Sequence, residues 1–147
     1  MKFKDFIGID ISKKTLDVYI YSSKTSEVFE NSNSGFKKLV NRVEASTNIL
    51  AKEAIFIFEH TGIYSNNLSL FLEERGIPFV LVPGLEIKRS MGLTRGKEDK
   101  IDAKRIAIYG FRLRDELEPV KLPSKKLADL KLLLGLRDRL IKDRTGF

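Results

Sequence analysis

The apolar residues of this chain change their period once, near residue 50, and that change limits what it can fold into. Before it, from Phe3 to Ser12 (FKDFIGIDIS), Ile7, Ile9 and Ile11 alternate with Phe6, Gly8 and Asp10, the period of two that sends a strand's side chains to opposite faces. Leu16 to Tyr21 (LDVYIY) repeats the alternation through Leu16, Val18 and Ile20, and Glu27 to Asn31 offers a third short strand. Connections of only a few residues call for antiparallel hairpins. After the change, Ala54 to Phe58 (AIFIF) is continuously apolar, as a central strand buried on both faces must be, and Pro78 to Val82 (PFVLV) is another such run.

Helices are expected around these runs. One starts at about Ser34, which can cap it, with Phe36, Leu39, Val40 and Val43 as its apolar stripe. A second spans Tyr64 to Arg75, with Gly76 where a left-handed cap belongs. A short one is expected around Leu85 to Met91, and another from Asp99 to Arg112. Three antiparallel strands, then helix, strand, helix, strand, helix, is the element order of an α/β, RNase H-like (RuvC-like) fold. That fold is a mixed five-stranded sheet with helices on its faces. Fold order does not fix chemistry, which has to come from a site.

Composition removes several function classes. The 147 residues suit one ordinary domain with a little left over. With 42% hydrophobic and 32% charged residues the chain reads as soluble and globular rather than disordered. There is no cysteine and a single histidine, His60, which excludes disulfides and thiolate metal sites and leaves little scope for a histidine zinc site. No apolar run approaches the roughly 18–20 residues that cross a bilayer, and the N-terminus has no signal-peptide pattern, so a cytoplasmic protein without membrane contact is expected. The net charge of +7 makes a polyanionic partner plausible. Residues 121–147 alone hold eight Lys or Arg against three Asp.

These patterns divide the chain into a domain over residues 1–117, a linker over 118–124 (EPVKLPS) and a helical segment over 125–147. The last carries Leu127, Leu130, Leu133, Leu134, Leu136, Leu140 and Ile141 on more than one face. A helix apolar on several faces needs partners, which points to self-association through this segment.

Four carboxylates stand out. Asp10 lies near the end of an apolar strand, opposite the Ile7, Ile9, Ile11 face, where a carboxylate is costly unless paired, hydrogen-bonded or metal-bound. The bland alternative is a turn or cap. Glu59 directly follows AIFIF at the carboxyl end of a central strand, where ligands of open α/β sheets sit. His60 and Thr61 then lead through Gly62 into the next helix. Asp99 and Asp102, three apart, share one face of the expected helix, although either alone could simply complement the helix dipole. Gathered carboxylates repel unless a cation compensates. Magnesium prefers oxygen ligands and serves phosphodiester chemistry, and manganese can replace it. Paired acids also serve glycoside hydrolysis, against which the basic balance and the absence of tryptophan argue.

Three stretches, GIDISKKTLDV, FEHTGIYS and RGKEDKIDAKRIA, resemble the DEDD transposases of the insertion-sequence family one-hundred-ten, which includes the pilin-segment DNA invertases. They supply, in order, an Asp after Gly-Ile, a Glu followed by x-Thr-Gly, and an Asp-x-x-Asp-Ala segment. LLLGLRDRLIKDRT resembles the opening of the family's helical coiled-coil connector. The resemblance covers nearly the whole chain and carries the four acids onto Asp10, Glu59, Asp99 and Asp102. Glu98 departs from the small polar residue usual before the third acid. The resemblance implies a bacterial DNA recombinase acting at the nucleoid. Its acidic domain works with a nucleophilic serine from a C-terminal domain missing from this chain, and a structured guide RNA selects the DNA. Ser12 and Thr61 read as turn or capping residues rather than substitutes for that serine.

Beside such a site, Lys88, Arg89, Arg95, Lys97 and Lys100 would hold phosphates of an incoming strand, against the plainer reading of a solvated loop. Tyr64 could stack on a base or cover the sheet. Competing readings are a guide-RNA-binding module without catalysis, a RuvC-like Holliday-junction nuclease, and an ATP-using enzyme of the actin and sugar-kinase kind. The last needs a duplicated domain and a second phosphate-binding hairpin, which the sequence does not offer.

Overall fold

A computed structural model describes residues 3–59, 62–83, 87 and 102–120. Five strands form one mixed sheet: β1 (Asp5–Ile11), β2 (Thr15–Ile20), β3 (Thr25–Glu30), β4 (Ala54–Glu59) and β5 (Phe79–Val82), in the order β3-β2-β1-β4-β5. β1–β2 and β2–β3 are antiparallel, as the short connections require, whereas β1–β4 and β4–β5 are parallel. This is the expected RNase H-like arrangement, with β1 central.

Among the described residues, three helices cover the sheet: α1 (Asn33–Thr47), α2 (Ile63–Glu74) and α3 (Ala103–Arg112). Ser32, rather than Ser34, caps α1, its hydroxyl accepting the Gly35 amide at 3.2 Å. α2 ends with Gly76 at φ 68°, its amide bonded to the Glu73 carbonyl and that of Ile77 to Leu72, the paired bonds of a Schellman motif.

The alternation read from the sequence splits the core in two. Ile7, Ile9, Ile11, Leu16, Val18 and Ile20 meet Phe36, Leu39, Val43, Leu68 and Phe71 of α1 and α2. Phe6, Ile55 and Ile57 meet Ile106 and Tyr109 of α3 on the opposite face. AIFIF is buried throughout because its alternate side chains enter the two cores.

The expected helix from Asp99 begins later, at Ala103. Asp102 has extended backbone (φ −116°, ψ 173°) and its carboxylate accepts the Arg105 amide at 2.9 Å, so this side chain stops the helix from starting sooner. Of the short helix expected over residues 85–91, only Ile87 is described; it is buried, and its amide reaches the Pro83 carbonyl at 3.4 Å. The helical segment 125–147 lies outside the described residues.

Two polar ties fix the start of β1. Asp5 is buried, and its carboxylate accepts the amides of Phe6 and Ser22 and the Ser22 hydroxyl, joining the start of β1 to the end of β2. Lys4 pairs with Glu53 beside the start of β4, and its hydrogen bond, helped by the Leu50 amide, holds the Glu53 carboxyl below its ordinary value. No helix among the described residues is long and apolar enough to cross a membrane.

Candidate active site

Asp10 is the penultimate residue of β1 and Glu59 the last of β4. The parallel register runs through Ile9 opposite Phe58, so Asp10 and Glu59 stand side by side one step further on, on strands about 4.7–4.9 Å apart. Both are partly buried and belong to the face that α3 covers, with Phe6 and Gly8 preceding Asp10 and Ile55 and Ile57 preceding Glu59.

The other neighbour of Asp10 was not singled out from sequence. In the β1–β2 ladder its partner is Asp17, and directly opposed side chains have Cβ atoms about 4.5–5.5 Å apart. Asp17, Asp10 and Glu59 therefore form a row of carboxylates across β2, β1 and β4. The signal was the period-two pattern of LDVYIY, but using it required the register that the Ser12–Thr15 turn sets. Ser12 is committed to that turn: its amide bonds to the Thr15 carbonyl at 2.9 Å, and its hydroxyl accepts the Thr15 amide at 3.1 Å.

Gly8 brings the fourth described acid to this end of the sheet. A Cβ at Gly8 would stand 2.1 Å from the Ala103 carbonyl oxygen and 2.5 Å from the Ala107 nitrogen, so the first turn of α3 rests on bare β1 backbone. Asp102, immediately before that turn, lines one groove with Asp17 and Val28. Its Oδ1 serves the helix cap. A second residue missed from sequence, Asn31, holds the neighbouring loops: its side-chain amide donates to the Ser12 carbonyl at 2.9 Å and the Tyr64 carbonyl at 3.0 Å.

These donors fit a hard divalent cation in kind, being carboxylate oxygens only, and like charges side by side on a sheet repel without one. Among the described residues, however, no group of three or more acidic or histidine side chains is already arranged to hold a metal. Asp99 lies outside the described residues, as do His60, Thr61, Glu98 and the loop cations Lys88, Arg89, Arg95, Lys97 and Lys100. Tyr64 is 39% exposed in the first turn of α2.

The profile of the insertion-sequence one-hundred-ten DEDD family, described as transposase, matches residues 7–147. The chain belongs to the DEDD transposase family. Two relatives, both pilin gene-inverting proteins, come from Moraxella bovis and Moraxella lacunata. Each is 33% identical over 97% of this chain and 46% of its own length. This DEDD transposase family chain thus spans about half the length of the curated relatives it matches. Of the acids in the stretches that resemble this family, Asp10 and Glu59 stand on neighbouring strands near the ends of β1 and β4, and Asp102 directly precedes α3.

Proposed function

We propose that this chain is the acidic, metal-dependent part of a DNA transposase or site-specific recombinase. The observation that carries the reading is the side-by-side placement of Asp10 and Glu59 at the carboxyl ends of two central parallel strands. Asp10, Glu59, Asp99 and Asp102 would hold magnesium or manganese. A bound cation of this kind polarises a phosphodiester and offsets the charge that develops as it breaks.

The protein's own residues prepare the site in three ways. Asp17, opposite Asp10, raises the negative charge that draws a cation in. Gly8 lets α3 deliver Asp102 to the strand ends. Lys88, Arg89, Arg95, Lys97 and Lys100 would contact the phosphates of the DNA on either side of the reacting one.

Strand exchange needs a nucleophile that this reading takes from a serine in a C-terminal domain, and target choice from a structured guide RNA. The gene inversion that the relatives' name describes is one outcome of such chemistry. Residues 1–117 form the acidic domain on this reading, 118–124 the linker and 125–147 the start of a helical connector through which copies associate.

Isothermal titration of manganese into the chain and into Asp10→Asn and Glu59→Gln tests the site directly. Removing one ligand charge is expected to weaken binding at least as much as losing a supporting contact, by roughly 10- to 100-fold. Metal binding that survives both substitutions sinks the reading.

A further inference from the structure

A second groove, of about 440 Å³, lies beside the acidic one on the α3 face. Its walls carry Lys24 from the β2–β3 turn, Lys104 and Arg112 from α3, and the rings of Tyr19, Tyr21 and Phe111. No acidic residue lines it among the described residues, although the chain has 20 acidic residues. Lys104, Ile108 and Arg112 recur every four residues, so they form one stripe along the helix, with about 12 Å between its ends. Tyr21 and Phe111 stack with ring centroids 4.4 Å apart and an interplanar angle of 16°. Both are only partly buried. Lys24 and Lys104 are exposed and in no ion pair among the described residues.

Lys104 also lines the acidic groove with Asp17 and Asp102. The two grooves therefore meet at one side chain, one repelling phosphate unless a cation is bound, the other attracting it. A linear polyanion with one phosphate at the carboxylates would lay its next phosphates along the cationic groove. Cations alone would suit a duplex backbone equally well. Aromatic rings between them suit a strand whose bases are unpaired, because every base can stack on a ring.

We infer that this groove is a track for a single strand of DNA, the continuation of the strand whose phosphate reaches the acidic site. It deepens the proposed function and rests on that reading for the identity of the strand. Lys24, Lys104 and Arg112 contact phosphates of the strand, and the bases meet Tyr21, because Phe111 is already stacked on Tyr21 and has the Arg114 guanidinium 4.4 Å from its ring centroid.

The test is fluorescence anisotropy of a labelled single-stranded DNA oligonucleotide with the full chain in EDTA, across a salt series. The wild type is compared with Lys24→Ala/Lys104→Ala, whose fold is checked by circular dichroism. Each lost phosphate contact on a single strand removes about 0.7 from the slope of log affinity against log salt, so the double variant is expected to lose about 1.4. Unchanged affinity and slope overturn the track. So does a loss seen with a structured RNA hairpin but not with the DNA strand, which would make the groove an RNA site. Because EDTA removes divalent metal, the outcome is separate from the manganese titration. A failed titration with an intact salt-slope effect strikes the metal site alone, and the reverse result strikes the groove alone.

Discussion

Asp102 has two tasks that chemistry can separate: it caps α3 through Oδ1 and brings negative charge to the acidic end of the sheet. Asn caps a helix about as well as Asp, whereas Ala does not cap at all. Asp102→Asn is therefore expected to keep thermal stability close to wild type while weakening manganese binding. Asp102→Ala should lose the same binding and, in addition, about 1 kcal/mol of stability. Thermal denaturation paired with the metal titration checks both, and an Asn variant as unstable as the Ala variant would contradict the cap. At this scale the sequence was partly legible. Asp10 and Glu59 were visible because a carboxylate on or beside an apolar strand demands an explanation. Asp17 was not, because on its own it is an ordinary polar residue of a half-exposed strand, and only pairing with Asp10 gives it meaning.

Among the elements, α3 matters most to the site because it must approach β1 closely enough to set its first turn beside Asp10. Two glycines allow this in different ways. A Cβ at Gly8 would meet α3 backbone, the Ala103 oxygen at 2.1 Å. A Cβ at Gly110 would meet the tip of the Ile57 side chain at 2.2 Å, which can turn aside. Both Ala substitutions overpack, at a typical cost of about 1–3 kcal/mol. Gly8→Ala is expected at or above the top of that range and Gly110→Ala near the bottom, measured by urea unfolding. Equal costs would mean that α3 is free to shift as a body. The strands and α2 were readable to within a residue or two, since period and caps are local signals. The start of α3 was misread because Asp and Lys in the preceding segment are compatible with helix, and the capping bond that ends the ambiguity is a feature of three dimensions.

For the whole molecule, the open question is where the folded body stops. Val120, within the segment read as linker, donates its amide to the Phe79 carbonyl at 2.8 Å and packs on the core beneath α1 and α2. A chain ended after Leu117 should be less stable than one ended after Val120 by about 1–2 kcal/mol, the sum of one net hydrogen bond and a partly buried Val. Urea midpoints at constant slope give the difference. Indistinguishable midpoints would place the boundary at residue 117. The seat of Val120 against β5 could not be seen in EPVKLPS, because prolines mark the end of helix equally in a free linker and in a segment laid against a sheet edge.

The sequence by itself determined the element order, the two faces of the sheet and the kinship with DEDD transposases. Those depend on period, caps and short motifs, which neighbouring residues carry. Only the tertiary structure decided which acids stand together. Asp10, Asp17 and Glu59 are separated along the chain, and one-residue slips of register would send any of them to the opposite face. The close seat of α3 on Gly8 is likewise a contact between distant segments. So is the meeting of an acidic and a cationic groove at Lys104, because proximity across a sheet is set by pairing and packing rather than by spacing along the chain.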